Sequence, residues 1–70
     1  MPIRMAPIGE EMEIRRLSAD EKVKRHLENL GLVVGQKITL MSSEGGAVIL
    51  KVKDGRVALD KQMASGIFVA

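Results

Sequence analysis

The chain has no cysteine, no tryptophan and no tyrosine, and only one phenylalanine and one histidine in 70 residues. Each absence removes a class of explanation. Without cysteine no disulfide staples the fold, and no thiolate serves as nucleophile or metal ligand. That suits a reducing compartment. A single aromatic, Phe68, cannot line the groove that Pro-rich peptides need. Nor can it stack a series of bases. A lone histidine, His26, with no tyrosine, leaves little for acid–base chemistry, so no catalytic residue is assigned and the chain is read as a non-enzyme. No apolar run approaches the ~18 residues of a membrane helix. Met1 to Gly9 has one Arg and no apolar h-region, so no secretory signal is expected and the protein is predicted to be cytoplasmic.

What is present is aliphatic and charged. Hydrophobic residues make up 46% and charged residues 29% of the chain, a globular balance rather than a disordered one. The net charge of +2 arises after Glu28, because the first 28 residues carry six basic and six acidic side chains. This is a mild bias, not the footprint of a nucleic-acid binder. Seventy residues form one domain, spanning 1–70, with a small core.

The local patterns predict a small all-β domain with one short helix. Met1 to Ala6 reads as a loose arm. Pro7-Ile8-Gly9-Glu10 reads as a turn. Met12 and Ile14 alternate with charge, as in a half-buried strand. Leu17 breaks the alternation, which predicts a bulge or strand end near Arg16. Ser18 with Glu21 has the spacing of a capping box, followed by Val23, Leu27 and Leu30 on one helical face. Glu21 and Arg25 have the i, i+4 spacing of a favourable pair. Gly31 is placed as the left-handed C′ residue, with Leu32 folding back onto Leu27. Lys37 to Met41 and Ala47 to Lys53 read as strands separated by a Ser42–Gly46 loop. Asp54-Gly55 signals a type I′ hairpin. Arg56 to Leu59, a helical turn within Asp60 to Ser65, and Ile67 to Val69 complete the chain. Five short strands with tight turns favour closure into a barrel, which removes exposed edges.

No cofactor or metal site is expected. Lys22 stands four residues before His26 on the helix, and no carboxylate occupies an adjacent i±3 or i±4 position, so His26 reads as a surface residue. Gly45-Gly46 lacks the Lys-Ser/Thr of a phosphate loop and reads as a hairpin turn. Met12 and Met63 read as packing residues rather than soft ligands. Lys51, Lys53 and Arg56 flank one hairpin, which leaves binding of RNA or of another protein as the alternative function.

The run from His26 through Leu27, Leu30-Gly31-Leu32 and Gly35 to Ile38 resembles the helix-to-strand segment of the ferrous iron transport protein A (FeoA) family. Its Leu-x-x-Leu-Gly-Leu-x-x-Gly pattern is filled throughout. Pro7-Ile8-Gly9 is similar to the family's Pro-x-Gly segment, and Val57, Ala58, Leu59, Ala64, Ile67 and Val69 to its closing segment. The chain departs from the pattern at Val34, where the family often has Pro, and in a shorter loop at Ser43 to Gly46. The resemblance implies an SH3-like barrel with one short α-helix after the first strand. It also implies an accessory role in ferrous iron uptake, with a FeoB-type membrane transporter as partner on its cytoplasmic side. With one aromatic and a mild charge bias no nucleic acid is expected as partner, and self-association stays open.

A docking surface is expected at the helix and its exit. Leu27, Leu30, Leu32, Val33 and Val34 crowd eight positions, and neighbouring residues of an extended segment cannot all point inward. Leu30 and Leu32 are expected to be the more buried. Val33, part of Leu27 and His26 are expected at the surface, rimmed by Lys22 and Arg25 for an acidic partner.

Overall fold

The computed structural model describes residues 1–53 and 55–70. Five strands form one antiparallel sheet: β1 (Glu11–Leu17), β2 (Lys37–Glu44), β3 (Ala47–Val52), β4 (Gly55–Leu59) and β5 (Ile67–Val69), in the order β4-β3-β2-β1-β5. Helix α1 (Glu21–Asn29) lies between β1 and β2, and the one-turn α2 (Lys61–Ala64) between β4 and β5. The sheet curls around an aliphatic core in the manner of a small SH3-like barrel.

The bulge in β1 makes that curl consistent with the side chains. Ile14 pairs with Val69, but Arg16, not Arg15, pairs with Phe68, and Leu17 with Ile67. The extra residue, Arg15, shifts the inward face from even to odd positions. Ile14 is therefore fully buried, and Leu17 still packs against the same core. A second register shift in β2 lies between Leu40 and Ser42.

Helix α1 ends as its sequence dictates. Gly31 has φ of +87°. The Leu32 N–H donates to Leu27 O and the Gly31 N–H to Glu28 O, both at 2.9 Å. These are the two bonds of a Schellman motif, and they return Leu32 to the core beside Leu27. Both leucines are completely buried, each contributing about 1.5–3 kcal/mol of transfer free energy.

The start of α1 differs from the expected capping box. Asp20 is the N-cap, and its Oδ1 accepts from the Val23 N–H at 2.9 Å. The Ser18 N–H is committed elsewhere, to Gly66 O at 2.7 Å. That contact brings two backbones together so closely that a Cβ at Gly66 would lie 2.7 Å from Ser18 O. Tertiary pairing with the α2–β5 junction thus pulls Ser18 out of the cap, and the next acceptor, Asp20, takes over.

The N-terminal segment is not a loose arm. Ile3 is completely buried in a 3₁₀ turn at Ile3–Met5, and Ala6, which caps that turn, is nearly so. Met1 exchanges two 2.8 Å hydrogen bonds with Val69, and Pro2 bridges to Phe68. The segment covers the outer edge of β5, which is how an exposed sheet edge is kept from pairing with other chains.

The loop expected at Ser42–Gly46 is shorter. β2 runs to Glu44, which pairs with Ala47, and Gly45 and Gly46 make the two-residue turn with φ of +59° and +90°. Positive φ at both positions is the signature of a type I′ hairpin. The Asp54-Gly55 turn lies outside the described residues at Asp54. Gly55, expected in the turn, instead begins β4, where its pairing with Val52 places it in the strand ladder. Asp60 caps α2 through a 2.9 Å bond from the Met63 N–H.

Candidate interaction surface on the first helix

The helical period places Lys22, Arg25, His26 and Asn29 on one side of α1, at i, i+3, i+4 and i+7. That side faces α2, and a groove of about 720 Å³ runs between the two helices. Its walls include Lys22, Arg25, His26 and Asn29 from α1 and Gln62 from α2. Its floor is Val23 and Met63, both half-buried and packed against the core. The groove is therefore an apolar strip with a polar rim.

Its charge is mixed. Lys22 and Arg25 share the rim with Asp20 and Glu21. Glu21 and Arg25 do not form the expected ion pair. Among the described residues, the ion pairs join Glu13 to Arg15 and to Lys37, both at 3.9 Å. Exposed side chains gain too little from one i, i+4 pairing to give up their rotamer freedom. The Lys22 and Arg25 charges thus remain available to a partner. Among the described residues, no three of His, Cys, Asp and Glu converge as metal ligands would. No helix among them is long and apolar enough to cross a membrane.

The structure brings Lys22, Arg25 and His26 together but separates the two apolar residues expected with them. Leu27 is completely buried and presents nothing to a partner. The Schellman turn needs it inside, against Leu32, so it cannot also face outward. Leu30 is only half-buried, on the margin of the core. Val33 is 40% exposed, and the adjacent Val34 is 60% exposed. Both stand on a tight turn closed by the Gln36 N–H to Val33 O bond at 3.0 Å, beyond the helix and outside the groove. The surface thus has two parts: a basic-rimmed groove and an apolar knuckle. Gln62 and Met63 were not legible as groove residues, because only tertiary packing brings α2 beside α1. Val34 could have been found, since a turn in front of Gly35 exposes both valines rather than one.

This geometry belongs to a small SH3-like barrel with a grooved helix face. The chain is a member of the FeoA domain family, whose model matches residues 1–70. A protein of Methanocaldococcus jannaschii that carries the name Fe(2+) transport protein A is 26% identical over 68 residues, covering 97% of this chain and 83% of its own. The crystal structure of an iron uptake regulatory protein (FeoA) superposes with a TM-score of 0.87 at 21% identity, covering 99% of this chain and 93% of that one. The solution structure of the FeoA protein from Chlorobium tepidum gives a TM-score of 0.84 at 24% identity, covering 99% and 68%. These two likenesses bear on the fold alone.

Proposed function

We propose that the chain is a small accessory protein of ferrous iron uptake that docks on the cytoplasmic side of a FeoB-type membrane transporter. Docking biases the transporter's conformational or nucleotide state, because a partner that binds one state more tightly shifts the population toward it. The chain acts by binding and contributes no catalytic group. The observation that carries this reading is the α1 surface. Lys22, Arg25 and His26 rim an apolar floor, with the exposed Val33–Val34 turn beyond the end of the same helix. Membership of the FeoA domain family and the name of the archaeal relative support iron transport as the setting.

The partner that fits is an acidic, partly apolar segment of the transporter. Basic rim residues steer association and the valines add buried area. The double variant Val33→Ser with Arg25→Glu tests this. It is expected to fold normally by circular dichroism, to lose co-purification with the transporter and to fail in restoring ferrous iron uptake. Full co-purification and full uptake by the folded variant would place the interface elsewhere.

A second reading has one observation behind it. Lys51 and Arg56 are direct cross-strand partners, and like charges placed opposite each other are destabilising. A polyanion such as RNA would relieve that repulsion. Such binding would weaken steeply with salt, whereas transporter docking would survive nuclease treatment.

A further inference from the structure

A second cleft lies where the N-terminal segment, the β2–β3 hairpin tip and the α2–β5 junction meet. It shares no lining residue with the α1–α2 groove. Its volume is about 380 Å³, a size suited to a small molecule. Among the described residues it is lined by Pro2, Arg4, Gly46, Lys61, Ser65 and Phe68, so two walls are cationic and none is acidic.

Packing fixes where the two cationic side chains start, while their charged ends stay exposed. A Cβ at Gly46 would stand 2.7 Å from Lys61 Cγ, so the lysine stem rests directly on the hairpin tip. Arg4 sits on the 3₁₀ turn that the fully buried Ile3 anchors. Phe68 is half-buried, and the Arg16 guanidinium lies 4.2 Å from its ring centre, which brings a third positive charge near the ring. Among the described residues, none of Arg4, Arg16 and Lys61 forms an ion pair. The Ser65 hydroxyl already donates to Gln62 O at 2.8 Å, so the cations are the principal attraction for an anion.

We propose that this cleft binds a phosphate monoester. A dianionic phosphoryl group matches the two lining cations, whereas one carboxylate leaves a cation unneutralised. Arg4 supplies the forked donor geometry that phosphate oxygens favour, and Lys61 a mobile point charge. Phe68 is the apolar wall for the body of the ligand. The monoester has two sources, a free nucleoside monophosphate or the headgroup of phosphatidic acid.

Amide NMR on the full chain tests the proposal with three probes: inorganic phosphate, adenosine monophosphate, and phosphatidylcholine vesicles with or without phosphatidic acid. Saturable shifts centred on Arg4, Gly46, Lys61 and Phe68, stronger with adenosine monophosphate than with phosphate, support a nucleotide source. Broadening of those same amides only by phosphatidic acid vesicles supports the headgroup source. In either case Arg4→Gln with Lys61→Gln, folded by circular dichroism, is expected to weaken binding by about tenfold or more. Three results would overturn the site: no saturable shift with any probe, shifts centred on Lys51 and Arg56, or unchanged binding by the double variant.

Discussion

The guanidinium carbon of Arg16 lies 4.2 Å from the centre of the Phe68 ring, across the pair that joins β1 to β5. The chain's single aromatic residue is thus used as a cation platform at the seam of the barrel. Only the bulge at Arg15 makes this contact, because an unbroken register from the Ile14–Val69 pair would set Arg15 opposite Phe68.

Arg16→Ala is expected to lower stability by about 0.5–1 kcal/mol, the usual worth of an exposed cation–π contact. Phe68→Leu keeps the apolar bulk and removes the ring. A double-mutant cycle by urea denaturation should return a coupling of similar size; independent, additive effects would show that the contact contributes nothing.

Gly31→Val should destabilise by about 1–2 kcal/mol, because φ of +87° forces a β-branched side chain into the left-handed region. Nothing lies within 4 Å of a Cβ placed there, so the cost is conformational rather than a clash. A melting curve that does not move would remove the Schellman account of the α1 exit.

Asp20→Ala and Ser18→Ala separate the two accounts of the α1 start. Loss of the Asp20 cap should cost about 0.5–2 kcal/mol. Ser18 contributes its backbone N–H, which alanine retains, so Ser18→Ala should be nearly neutral. The reverse order in thermal denaturation would restore Ser18 as the cap.

Ile3→Ala should be the most damaging of these changes, at about 2–5 kcal/mol, since it removes a completely buried side chain. Hydrogen exchange should report the loss at Phe68 and Val69, which the N-terminal segment covers. Unchanged stability in Ile3→Ala would mean that this segment is dispensable.

Where a structural choice is made by neighbours in the chain, the residues announced it. The alternation of Met12 and Ile14, the break at Leu17 and the Gly31-Leu32 exit act over a few positions, and all appear as read. The closing elements at Lys61–Ala64 and Ile67–Val69 were likewise legible from their short patterns. The family resemblance was legible too, because the Leu-Gly-Leu junction is itself a folding device.

Tertiary structure decided what depends on distant partners. Ser18 looks like a cap until Gly66 takes its N–H, and Met1 to Ala6 look loose until β5 offers an edge and the core accepts Ile3. Leu27 looks available to a partner until the Schellman turn and the barrel bury it together. The α1–α2 groove and the cleft at Arg4 and Lys61 each join residues from separate parts of the chain. Local propensity involves only a few neighbouring dihedrals, whereas a surface requires the whole barrel to close. The residue types were therefore visible in the sequence, and their juxtaposition was not.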